Sequence, residues 1–171
     1  MSVKIEGCIG GIVDGYTVSC VADGNSIAGR LGGRIVGANI DLRFDPSLNV
    51  ISGRIGGVIQ GRSLTVSLSD NSHISGRIGG EIDGNDITLS GTDRISGRCG
   101  GSVIGFDVDL HVADSHMIGR LGGVVHGKSV SISVAQCYPP VVSALIAVVV
   151  YYYYLITERH SSSSSSSHHN N

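Results

Sequence analysis

Along most of the chain, apolar residues alternate with small or polar ones in a period of two, and the pattern restarts six times. Starting at Ile74, one face reads Ile74, Gly76, Ile78, Gly80, Ile82, Gly84, and the other reads Ser75, Arg77, Gly79, Glu81, Asp83. Period two marks a strand with one buried face. After Asn85 and Asp86 a shorter alternating stretch, Ile87-Thr88-Leu89-Ser90, predicts a second strand. A two-residue loop at Gly84-Asn85 would join them, because glycine supplies the positive φ of a type II′ hairpin turn. That register sets Ile82 opposite Ile87 and Gly80 opposite Leu89. The same offset in the other copies again sets apolar opposite apolar, then Gly opposite a larger apolar residue. The glycine row so defined is Gly11, Gly33, Gly57, Gly80, Gly101 and Gly123. These are expected to be structural, allowing close approach of backbone.

The repeating unit is G-x-[apolar]-G-G-x-[Ile/Val]-x-G, beginning at Gly7, Gly29, Gly53, Gly76, Gly97 and Gly119, with spacings of 21 to 24 residues. The spacing varies only after the second strand, around Asp45-Pro46-Ser47 and Asp70-Asn71-Ser72. Surface loops absorb such insertions. The expected fold is all-β: six tandem Gly-rich β-hairpin repeats, about 12 antiparallel strands, hiding their apolar face in a flattened barrel or two-layer sandwich. A round ring of that many strands is too wide for Ile and Gly to fill, which favours the flattened form. A parallel β-solenoid is the alternative for a repeat of this length.

The alternation stops after the sixth unit. Lys128 is the last charge before Glu158, and within this stretch Val141 to Ile156 reads VVSALIAVVVYYYYLI. As a helix these residues span ~24 Å, against a hydrocarbon core of ~30 Å. Counting from Cys137 to Thr157 brings the uncharged length closer to a span. The expected organisation is a β domain over 1–136, an apolar segment over 137–157 serving as a candidate C-terminal membrane anchor, and a disordered Ser/His/Asn-rich tail over 158–171. Tyr151 to Tyr154 would lie at a membrane interface, where aromatic rings prefer to sit. Val and Tyr are also β-formers, so a thirteenth strand or an aggregation-prone tail competes with this reading.

Charged residues make up 15% of the chain and the net charge is −2, a balance that argues against bulk electrostatic binding of nucleic acid. Five of the six units nevertheless carry Arg after the first glycine: Arg30, Arg54, Arg77, Arg98 and Arg120. A column of arginines on the polar face is a candidate anion-binding stripe. It also matches ordinary cross-strand pairing with acids such as Asp86 and Asp107. The six G-x-x-G-G motifs alternate inside strands and precede no helix, so they are not phosphate loops. Cys20 and Cys99 fall on the apolar face as small hydrophobes. The N-terminus has no apolar leader, which predicts a cytosol-facing domain with reduced thiols. No histidine has metal-ligand spacing, and no catalytic residue, cofactor or metal site is expected.

These features predict a non-enzymatic structural or protein-interaction module, tethered to a membrane through 139–157 with its β domain in the cytosol. A cytoplasmic location is the alternative, and self-association is open. Two other functions compete with this one: anion or nucleic-acid binding by the Arg column, and a small-ligand site inside a β-barrel.

Overall fold

A computed structural model describes residues 1–11, 15–32, 36–57, 61–101, 105–123 and 125–164, with side chains up to 159. Twelve strands run in chain order: β1 (Ser2–Ile9), β2 (Tyr16–Asp23), β3 (Ser26–Gly32), β4 (Gly37–Asp45), β5 (Val50–Ile55) and β6 (Arg62–Ser69) form the first half. β7 (His73–Ile78), β8 (Asn85–Ser90), β9 (Arg94–Gly100), β10 (Gly105–Ala113), β11 (His116–Leu121) and β12 (Lys128–Ser133) form the second. A single helix, α1 (Pro140–Ser164), follows. Every strand pairs antiparallel with its neighbours in sequence, and β1 pairs with β12 to close a barrel. The expected hairpin repeats are therefore present, as a closed barrel rather than a solenoid.

One register rule runs around the whole barrel. The first glycine of each unit faces an apolar residue eleven positions on, as in Gly53 with Leu64 and Gly76 with Ile87. On its other side it faces the residue at position thirteen of the preceding unit, as in Gly53 with Leu42 and Gly76 with Val66. Gly7 obeys the same rule across the closure, facing Val18 and Ile132. A side chain here would force the strands apart. At Gly53 a Cβ would overlap the Asp41 carbonyl oxygen and lie 2.7 Å from Leu42 Cα.

This register differs from the one the alternation suggested. Ile78 pairs with Asn85, and Gly76 with Ile87, so the first strand ends six residues earlier than Gly84. The cause is the first glycine of each GG pair. Gly10, Gly32, Gly56, Gly79, Gly100 and Gly122 all have φ between +88° and +110°, which an L side chain adopts only under strain. Each turns the chain out of its strand. The glycines expected to face large apolar partners lie instead in the loops that follow. A Cβ on Gly11, Gly57 or Gly123 would meet nothing within 4 Å, and one on Gly80 would meet only the Asp83 side chain. Gly101 also follows the end of its strand, and Gly33 lies outside the described residues.

The turns at the opposite end are short and hold the variation in repeat length. Asp23–Ser26 and Ala113–His116 close two-residue turns, while Ser69–His73 closes a three-residue one. Asp45 and Val50 bracket the longer turn that gives the second interval its extra residues.

Each hairpin buries at least four inward residues, for example Ile74, Ile78, Ile87 and Leu89 in β7 and β8. They do not fill the lumen alone. Strands ~4.8 Å apart and tilted ~40° make a twelve-stranded ring ~24 Å across. A helix with its side chains is ~10–12 Å across, leaving room for one layer of side chains around it. α1 takes that place. Val141, Val142 and the run from Ala144 to Val150 have no exposed surface, and the helix packs against β1–β3 and β7–β12. A helix apolar on every face suits such a lumen as well as it suits lipid. The buried part of α1, from Val141 to Tyr152, thus lies inside the barrel, and the helix continues to Ser164.

The helix has a defined start. Pro140 opens it, where a missing N–H is harmless. Ser143 is the one buried polar side chain described, and its Oγ accepts the Ala135 N–H at 3.1 Å. Tyr138 caps this end of the barrel, donating to the Gly24 carbonyl at 2.7 Å and packing edge-on against Phe44.

Candidate functional site

All six GG loops lie at one end of the barrel, where α1 leaves it, and the short turns lie at the other. The loop over 79–84 shows the construction. Gly79 N–H donates to the Ser63 carbonyl of the neighbouring strand at 2.8 Å, completing the ladder as the chain turns away. Arg77 then ties the loop down. Its Nε donates to the Gly80 carbonyl at 3.1 Å, and its Nη2 donates to the Glu81 and Gly84 carbonyls at 2.9 and 3.2 Å. Its Nη1 pairs with Asp86 at 2.6 Å.

The other arginines repeat this. Arg54 Nε donates to Gly57 and Arg98 Nε to Gly101, at 3.2 and 3.0 Å, and Arg120 donates to Gly127 at 2.9 Å. Arg98 also pairs with Asp107, and Arg30 reaches Asn39 at 3.5 Å. Four of the five column arginines, Arg54, Arg77, Arg98 and Arg120, thus clamp loops through backbone carbonyls, and Arg77 and Arg98 also pair with acids.

Among the described residues, the loops carry exposed apolar side chains beside charged ones, as Ile82 stands between exposed Glu81 and Asp83. The sequence places Ile or Val six residues after the first glycine of every unit: Val13, Ile35, Ile59, Ile82, Val103 and Val125. Alternation assigned these to the buried face. Among those described, Ile82 is 100% exposed and Val125 82% exposed, so they stand out as loop tips. Val36, one residue further along its own loop, is 50% exposed. Val13, Ile35, Ile59 and Val103 lie outside the described residues.

Inside the ring of loops, α1 emerges through an aromatic collar. Tyr154 packs edge-on against Tyr16 with ring centres 5.2 Å apart, and stacks on Tyr151 at 6.0 Å. Tyr151 meets Phe106 edge-on at 4.7 Å. Lys128 Nζ lies 5.4 Å from the centre of the Tyr154 ring, within cation–π range. The Tyr16 hydroxyl and Thr157 Oγ1 share a hydrogen bond of 2.9 Å. Burial raises the phenol pKa of Tyr151, Tyr152 and Tyr153 above the ordinary value. Arg62, beside Tyr152 and 3.4 Å from Asp83, brings a partly buried cation to this mouth.

The column arginines face acids or polar residues across the ladder: Arg54 faces Asp41, Arg77 faces Asp86, Arg98 faces Asp107 and Arg120 has Asp109 on one side.

Cys20 and Cys99 are buried as expected. Burial pushes their thiols up to about 11 and about 12 respectively. Cys8, in the Arg position of the first unit, is half-buried, and Cys137 is exposed. Among the described residues no group of His, Cys, Asp and Glu is arranged to hold a metal ion. A shallow depression at the turn end, lined by Asn25, Arg43, Phe44 and Asp45, is open to solvent.

Fold and site together define a β-barrel of hairpin repeats, filled by its own C-terminal helix, with exposed Ile82 and Val125 in the loops at the end where the helix leaves. No family model, no curated protein and no solved structure matches this chain.

Proposed function

We propose that this chain is a non-enzymatic interaction module that binds its partner with the loop end of the barrel. The observation that carries this reading is the exposure of Ile82 and Val125 at loop tips whose apolar character recurs in all six units. The recurrence of Ile or Val at one loop position in every unit is what singles this end out, since exposed Leu48 and Val21 on the turn half follow no such repeat. The clamps support it too. Arg77 alone makes three bonds to loop carbonyls, so a glycine-rich loop is held in a set shape with its tip turned outward.

The competing functions draw less support. Anion binding by the Arg column would have to displace bonds the guanidinium groups already make. A ligand inside the barrel would have to share the lumen with α1. The helix is apolar enough to cross a membrane over Pro140–Arg159, but 67% of its most apolar window is buried. That burial favours α1 as the barrel's core.

The test is site-specific photo-crosslinking in cells of the source organism. A photoreactive residue replaces Ile82 at the loop end or Asp114 at the turn end. The reading expects adducts, protein or lipid, from position 82 well above those from position 114. Equal or absent adducts at the two positions would overturn it.

A further inference from the structure

α1 fills the lumen of a closed ring, entering past Tyr138 at the turn end and leaving among the loops at the other. A ring closed beforehand would have to be threaded along its whole length. A sheet still open at one junction needs only to wrap around the helix. Eleven of the twelve junctions join strands consecutive in the chain, each tied by its own turn or loop. The exception is β1–β12, which joins the two ends of the β domain. Pairing between residues so distant in sequence forms late, because the entropy of closing the intervening chain opposes it.

Three observations mark this junction as the easiest to part. Among the described residues its ladder is three pairs long: Gly7 with Ile132, Cys8 with Ser131 and Ile9 with Val130. The β8–β9 ladder has four pairs and every other at least six. Beyond Gly7 the pairing ends on a side chain. Ser133 Oγ accepts the Glu6 N–H at 2.8 Å and donates to the Lys4 carbonyl at 3.4 Å, and Ser2 to Ile5 pair with β2 alone. Cys8 also stands where the other five units carry Arg, and a thiol has none of the N–H donors with which Arg77 ties its loop.

We propose that β1–β12 is the latch of the barrel: the sheet wraps α1 and closes there last, and the folded chain opens there first while the other strands keep α1 in place. The latch is a device of assembly and local opening, independent of what the loop end binds.

Four matched bonds allow a comparison of like with like. Gly10 N–H donates to the Ser129 carbonyl across the latch at 2.8 Å. Gly56, Gly79 and Gly122 hold the same position in their units and donate at 2.8 Å to Asn39, Ser63 and Asp107, across β4–β5, β6–β7 and β10–β11. Residue-resolved hydrogen exchange of the whole chain should find Gly10 at least about tenfold faster than these three after correction for intrinsic rates, and the amides from Val141 to Val150 should not share that faster exchange. Pulse-labelled refolding should protect Gly10 after all three. A disulfide across the latch supplies the second arm. Ser131→Cys faces the native Cys8 at a ladder spacing that a disulfide spans, and Cys137→Ser removes the exposed thiol. Oxidised with glutathione disulfide, this variant should exchange Gly10 at the rate of Gly56, and reduction should restore the difference.

Gly10 exchanging no faster than Gly56, Gly79 and Gly122 overturns the latch, and so does protection of Gly10 ahead of them in refolding. A closed disulfide that leaves Gly10 as fast as before overturns it too.

Discussion

Gly53 and Gly57 lie four residues apart in one repeat unit, yet the register makes them energetically opposite. A methyl group on Gly53 would overlap the Asp41 carbonyl oxygen and sit 2.7 Å from Leu42 Cα and 2.9 Å from Leu42 Cδ2. Two of these atoms are backbone in a paired strand, so relief requires parting β4 from β5. Overpacking a well-filled site costs about 1–3 kcal/mol, and clash with backbone belongs at the upper end or beyond. At Gly57 the same methyl meets nothing within 4 Å. There, alanine narrows the unfolded ensemble and is neutral, or stabilises by up to about 1 kcal/mol. For a chain of this size 1 kcal/mol corresponds to ~2–4 °C. Gly53→Ala is therefore expected to lower the melting temperature by ~6–12 °C, and Gly57→Ala to change it by no more than a few degrees. Thermal melts followed by far-UV circular dichroism, with urea titrations to check the order, measure both. The alternative register, in which Gly57 faces Val66, predicts the reverse order. A Gly57→Ala loss equal to or larger than that of Gly53→Ala would refute the register described above.

Three other perturbations follow from single contacts. Ser143→Ala leaves the buried Ala135 N–H without its acceptor and should cost about 1–2 kcal/mol in urea unfolding. Arg77→Ala removes the clamp on the loop over 79–84; global stability should fall by about 1 kcal/mol, while amide exchange within that loop speeds up. The raised thiols of Cys20 and Cys99 mean that the folded chain keeps protons an unfolded chain releases above pH 9.0. Stability is therefore intact below that pH and falls as pH climbs toward about 11 and 12, and Cys20→Ala with Cys99→Ala should flatten that fall. At neutral pH a thiol reagent should label exposed Cys137 while these two react only on unfolding.

Much of this fold is legible in the amino-acid pattern. Alternation identifies both strands of each unit, and every second-strand residue it placed inside, from Val18 and Cys20 to Val130 and Ile132, is buried. The register was not legible, because a slip of six residues keeps every side chain on its own face. Apolar-against-apolar agreement is then preserved in both pairings. The deciding feature is the positive φ at positions such as Gly79, which glycine permits but does not announce. The same slip hid the candidate site. Ile82 reads as core when its strand is continued through Gly79, and as a loop tip once the strand stops at Ile78. The helix was hidden for a different reason. Its run from Val141 to Val150 has no polar face, and a barrel lumen and a bilayer both select for that. Only the width of a twelve-stranded ring, too large for its own side chains, signalled that something must fill it.

α1 is buried as the core of the barrel, with no exposed surface from Ala144 to Val150. Hydrogen exchange of the whole chain in detergent-free buffer tests it most directly. The amides from Val141 to Val150 should exchange as slowly as those of the strands, through global unfolding alone. A chain that stays in solution only with detergent, or whose 141–150 amides exchange far faster than the strands around them, would contradict it.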